Sequence, residues 1–257
     1  MLERLLGWGL FGGDVVYTAV DVSADYLAIA REQLPRWADQ HDYDVEIVGA
    51  DHFVITRDGQ RIEWRSQAAD IYEFLEGAAE QNQHWDLVIG HAFIDLVSQT
   101  HFLPLMVDRL SDGGLIYFTI NFDGQTILLP PIDKAADDLL MTEYHLAMDE
   151  PPETTDPRFR GSSRSSQDLL IELPKAGAEI LTAGSSDWVV FGRDGGYHAQ
   201  EAHFLHCIIS TVNNSLMDRV DGEILRPWIA ERHRQIDAGE LSYIAHQLDF
   251  LARRKKQ

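Results

Sequence analysis

Residues 15–34, VVYTAVDVSADYLAIAREQL, pass from an apolar β-branched segment straight into a helical pattern. Val15, Val16 and Val20 favour extended backbone, and the segment closes on an acid, Asp21. Ser23 follows as a natural N-cap, and Leu27, Ala30 and Leu34 then share one helical face. A strand that ends in a carboxylate and turns at once into a helix is half of a doubly wound nucleotide site. There the acid accepts hydrogen bonds from both hydroxyls of a ribose, each worth about 1.5–3 kcal/mol when charge-assisted. The same residues also read as a surface aspartate that opens a turn.

Before this stretch, residues 1–9 have the pattern of an amphipathic helix end, with Leu2, Leu5 and Leu6 apolar. Gly7, Gly9 and Gly12 spell G-x-G-x-x-G. No strand can precede Gly7, and too few residues lie before Asp21 for a crossover helix and a strand. These glycines therefore predict a turn between helix and strand rather than a phosphate loop.

After it, residues 43–54 and 61–69 predict a hairpin across Asp58-Gly59, with the second arm ending at Asp70 and a helix over 71–79. Residues 85–90 predict a short buried strand ending at His91. A helix over 102–110 is closed by Asp112-Gly113-Gly114, and a strand over 115–120 ends at Asn121. Asp21, Asp70, His91 and Asn121 thus all stand at strand ends. With helices between them, this is the pattern of an open parallel sheet that binds ligands beyond its carboxyl ends.

The second half reads as a helix over 133–148 and a polar loop over 149–166 that contains Pro151, Pro152 and Pro157. A helix over 167–175 follows, then extended segments over 178–191 and 241–252. Between those two segments, helices over 198–217 and 222–238 form an expected helical insertion, residues 192–240.

The chain has 257 residues, 45% of them hydrophobic, enough for a large core. Its 42 acids against 21 bases give a formal charge of -21, which disfavours nucleic acid because a phosphate-tracking surface needs a basic stripe. The excess suits a very soluble protein in a salty cytoplasm. Arg253, Arg254, Lys255 and Lys256 read as a frayed end. A single cysteine, Cys207, excludes an internal disulfide and fits a reducing, cytoplasmic setting. Glu3 and Arg4 interrupt the apolar N-terminus, which is therefore not read as a signal peptide. No run approaches the ~20 apolar residues of a membrane span.

This order of elements resembles the class I S-adenosylmethionine-dependent methyltransferases, from Val15 to the last strand pair. Asp21 matches the family's ribose-binding acid. Ala69-Asp70-Ile71 looks like its adenine clamp. Residues 86–93, DLVIGHAF, are similar to its fourth motif, beside the methionine end. Residues 110–118, LSDGGLIYF, look like its approach to the fifth strand, with Asp112 where proline is usual. The resemblance implies an α/β, Rossmann-like, mostly parallel sheet with an antiparallel C-terminal pair, in a single domain over 1–257. It implies S-adenosyl-L-methionine as cofactor, contacted by Asp21, Val22, Asp70, Ile71, His91 and Ala92. The family's first strand and glycine loop have no counterpart here, so the chain is expected to be N-terminally truncated.

The expected reaction is methyl transfer to a small-molecule acceptor, in which the protein chiefly aligns the nucleophile. His91 is the first choice for a general base and Asn121 for positioning substrate, unless each merely satisfies a loop or a strand end. Asp95 is a second base candidate or a helix cap, and Tyr144 and His145 face either cleft or solvent. Trp188 and Phe191 line either the core or an acceptor pocket. His198, Glu201, His203, His206 and Cys207 lack a tight ligand repeat, so no metal is expected. Two other readings stand beside methyl transfer: a nicotinamide-dependent oxidoreductase, whose ribose needs the same acid, and a non-catalytic methyltransferase-like partner subunit.

Overall fold

The strand, turn and helix of residues 15–34 are present in a computed structural model that describes residues 1–150, 156–193 and 196–256. Two compact units divide the chain, Met1–Gln83 and His84–Gln257.

In the first unit, α1 (Leu2–Gly7) buries Leu2, Leu5 and Leu6, as its spacing requires. The glycines after it form the expected turn: Gly9 has φ 63°, and Gln60 Nε2 donates to Phe11 O at 2.8 Å and Gly13 O at 3.0 Å. β1 (Val15–Asp21) leads into α2 (Ala24–Gln40), whose N-cap Ser23 accepts from Tyr26 N at 3.4 Å. β2 (Asp44–Gly49), β3 (His52–Arg57) and β4 (Gln60–Ala68) precede α3 (Ile71–Glu80). The sheet runs β1-β4-β3-β2, with β1 and β4 parallel and the other pairs antiparallel. Asp58 and Gly59 take φ 52° and 82°, the positive values that a two-residue hairpin turn demands. Phe53 and Trp64, directly paired across β3 and β4, stack at 4.8 Å in the core.

The second unit begins with β5 (Trp85–His91), α4 (Gln99–Asp108) and β6 (Leu110–Leu129). α5 (Lys134–Asp149) and α6 (Ser165–Lys175) come next, then β7 (Ala178–Ser185) and β8 (Trp188–Val190). α7 (Glu201–Leu216), α8 (Gly222–Asp237) and β9 (Ser242–Arg254) complete it. Strands order β5-β6-β9-β7, with β8 also on β9. The β5–α4–β6 crossover makes a parallel pair, and β9 runs antiparallel to β6, β7 and β8. The α/β class with an antiparallel C-terminal pair and helices before the last strand is therefore what the chain forms.

β6 departs from expectation. It does not stop at Asn121 but continues to Leu129, because two bulges re-register it on β9, between Phe118 and Asn121 and between Phe122 and Thr126. Ile120 at φ 59° and Gly124 at φ 80° supply the kinks. The extension and β9 carry a second core with α5, α7 and α8, including Leu128, Tyr144, Leu205, Trp228 and Tyr243.

The basic tail is not frayed: Arg253 pairs with Glu179 at 2.8 Å, and Lys255 N donates to Gly177 O at 3.0 Å. Trp188 and Phe191 are not core residues, being 42% and 40% exposed. In the predicted polar loop, residues 151–155 lie outside the described residues, and Pro157–Phe159 is a short 3-10 turn. No described helix is long and apolar enough to cross a membrane.

Candidate functional site

Within the first unit, parallel pairing sets Asp21 opposite Ala68, and Ala69 N donates to Asp21 O at 3.1 Å. Asp21 and Asp70 therefore emerge at the carboxyl ends of neighbouring parallel strands. Asp21 Oδ1 accepts from Ser23 N at 2.7 Å, an Asx-type turn that holds the half-buried carboxylate at the strand end. β4 stops at Ala68, two residues before the predicted end, because Asp70 serves as the N-cap of α3. Its Oδ1 accepts from Tyr72 N at 2.8 Å and Glu73 N at 3.4 Å. Val22 is 79% exposed directly after Asp21, and Ile71 is half-buried after Asp70. Paired acids flanked by accessible aliphatic side chains suit a ribose diol and a flat base.

In the second unit, the last paired residue of β5, His91, lies opposite Thr119 of β6, and its Nδ1 meets Thr119 Oγ1 at 2.5 Å. Ala92 has φ 50°, and its N donates to Thr119 O at 2.9 Å, so the chain turns sharply as it leaves the strand. His91 and Ala92 are exposed, whereas Thr119 is buried. Asn121 is fully buried, and its Nδ2 donates to Leu248 O at 2.7 Å across the first bulge. Its side chain thus fills the gap that the register shift leaves in the ladder.

Asp95 does not cap α4. It sits in the 3-10 turn Ile94–Leu96 and is held by Ser165 Oγ and by Phe122 N at 3.2 Å. Burial pushes its carboxyl up, and the two donors oppose that shift. His145 of α5 meets β6: its ring is edge-on to Phe122 at 5.4 Å, and its Nε2 lies 3.4 Å from Thr126 Oγ1. Burial pushes the His145 imidazole below its ordinary value, with Asp149 acting the other way. Tyr144 is buried, and its hydroxyl is pushed up by burial.

The histidine-rich segment disperses. Glu201 accepts from His198 N at 3.0 Å, and His203 Nε2 lies 3.7 Å from Cys207 Sγ. His206 turns to α8, its Nδ1 2.7 Å from Nδ1 of His233 and its Nε2 3.2 Å from Asp237. Among the described residues no group of three or more His, Cys, Asp or Glu could hold a metal ion. Thr119, Thr126 and Ser165 were not foreseen, because each gains its partner only through strand pairing or helix packing.

No family model and no curated protein sequence matches this chain. Solved structures similar to it include a candidate methyltransferase of Bacillus halodurans, at 14% identity and TM-score 0.46, aligned over 99% of each chain. An S-adenosylmethionine-dependent methyltransferase of Methanosarcina mazei aligns over 98% of each chain at 10% identity and TM-score 0.44. The cyclopropane synthase MmaA2 of Mycobacterium tuberculosis aligns at 9% identity and TM-score 0.43, over 98% of this chain and 83% of its own.

Proposed function

We propose that this chain is an enzyme that binds S-adenosylmethionine and passes its methyl group to a small-molecule acceptor. The observation that carries this reading is the placement of Asp21 and Asp70 at adjacent carboxyl ends of a parallel strand pair. A ligand with a vicinal diol and an adenine uses both: hydroxyls donate to Asp21, and the exocyclic amine donates to Asp70. Val22 and Ile71 cover the ring system. When bound, the cofactor supplies an electrophilic methyl on a sulfonium, so the protein needs no electrophile of its own.

His91, held in one orientation by Thr119, orients the acceptor, and Ala92 sets the direction in which the chain leaves β5. Asn121 acts as a positioning residue, through the β6–β9 bulge that follows Thr119.

Titration calorimetry with S-adenosylhomocysteine tests the reading. Saturable binding is expected, weakened about 10- to 100-fold in Asp21→Asn, the equivalent of losing one or two charge-assisted bonds. Titration with NADH under the same conditions is the competing arm. Binding of NADH without S-adenosylhomocysteine discards methyl transfer in favour of hydride transfer.

A further inference from the structure

Beyond the end of β5, the extension of β6 gathers polar groups that the reading above leaves unused. Thr126 stands past the second bulge and faces His145 Nε2 at 3.4 Å, longer than a firm hydrogen bond. Among the described residues that long contact is the only hydrogen bond the His145 ring makes. Phe122 closes one side of the imidazole, edge-on at 5.4 Å, and Asp95 pins the Phe122 backbone. Directly across the ladder from Phe122 is Gln247. Its Oε1 is buried and has no partner among the described residues, while the residue as a whole is 6% exposed.

A buried acceptor left unpaired costs about 1–3 kcal/mol, which a ligand able to donate to it recovers. Phe122 packs against an apolar and aromatic core cluster that includes Tyr144 and Tyr243, with Met141 and Met148 also against that cluster. Asp149 is the charged group that faces His145, one turn on along α5, and it is tied to Ser163 N at 2.7 Å and Ser163 Oγ at 2.9 Å. On the β6 side the ring meets Phe122 and Thr126.

We propose that His145 is the proton acceptor for the substrate and that Gln247 Oε1 receives a second donor from it. This fixes the acceptor class: a small, largely apolar molecule whose methylated heteroatom carries a hydrogen, as a hydroxyl or an amine. The proposal rests on the methyl-transfer reading. Bound S-adenosylmethionine would supply the methyl group and keep the carbon–sulfur electron pair on its sulfur, which leaves this chain the task of taking up the heteroatom's proton. The proton of the heteroatom goes to His145 Nε2, where Thr126 Oγ1 can accept from the new N–H. A neutral imidazole is required at the start, and burial favours that form.

The test uses the full chain and three probes of one shape: 2-naphthol, 2-naphthylamine and 2-methylnaphthalene. Fluorescence titration should give at least one protic probe an affinity about tenfold above the hydrocarbon, the size of one net hydrogen bond. That probe should shift the ring nitrogens of His145 in proton–nitrogen spectra. The preference should persist through the ordinary histidine value of about 6.5 and fade only at lower pH, and it should vanish in His145→Phe and in His145→Gln. Equal affinities, no binding by any probe, or a preference that survives both variants overturns the proposal. Calorimetry with S-adenosylhomocysteine is scored separately. A protic preference at His145 without S-adenosylhomocysteine binding sinks methyl transfer and leaves the His145 site as a donor-selective pocket.

Discussion

At the scale of single residues, Asp70 has two jobs that can be separated. As the N-cap of α3 it satisfies backbone donors, and as a carboxylate it offers charge to a ligand amine. Asp70→Ala should lower unfolding free energy by about 1 kcal/mol through the lost cap. Asp70→Asn should keep the cap and the stability but weaken S-adenosylhomocysteine binding by about tenfold. Urea denaturation and calorimetry on the two variants check this pair, and equal ligand affinity in Asp70→Asn would confine Asp70 to its structural job. Asp21, Ser23 and Asp70 were legible in the sequence because each acts on backbone groups within three residues of itself. The partners of His91 and Asp95 were not, since Thr119 and Ser165 reach them only through long-range packing.

Among elements, the α7–α8 pair has a built-in acid sensitivity. His206 and His233 stack at 5.0 Å with their Nδ1 atoms 2.7 Å apart, a geometry that one shared proton satisfies and two protons do not. Burial pushes His233 below its ordinary value, and repulsion from His206 adds to that shift, while Asp237 opposes it. The folded state thus binds fewer protons than the unfolded one near neutrality. The contribution of His233 is complete above the unfolded value of about 6.5 and is lost as pH falls through the lower, folded one. Thermal midpoints measured from about pH 7.5 down to 5.5 should fall, and His233→Gln should flatten that slope.

A second element-scale contact ties α8 to the start of α5. Fully buried Arg232 donates to Asp137 at 2.6 Å, to Pro130 O at 2.7 Å and to Gln235 Oε1 at 2.8 Å. Asp137 also accepts from Trp228 Nε1 at 2.6 Å. Removing one partner of a buried pair strands the other, so Arg232→Met should cost about 3–5 kcal/mol by urea denaturation, and Arg232→Met with Asp137→Leu should cost less. Helix and strand identities in this half were readable from periodicity, with ends displaced by a few residues. The length of β6 was not, because a run such as NFDGQT looks like a loop until β9 pairs with it across two bulges.

For the molecule as a whole, a net charge of -21 must be held together against its own repulsion. Raising ionic strength from about 0.01 M to about 1 M shrinks the Debye length from about 30 Å to about 3 Å, so the thermal midpoint should rise with added sodium chloride. A midpoint that stays flat or falls would show that the acids are already neutralised by local pairing. The α/β class and the antiparallel ending were visible in the order of segments. The division into Met1–Gln83 and His84–Gln257 was not, because nothing in composition changes at residue 84. Within the second unit, Leu110–Leu129 acts as one spar. One end holds Thr119 against the His91 ring, and the other is gripped by the packing around Leu128. A shift of α5, α7 or α8 is therefore carried along β6 toward the imidazole of His91, with the kinks at Ile120 and Gly124 as the places where the spar gives.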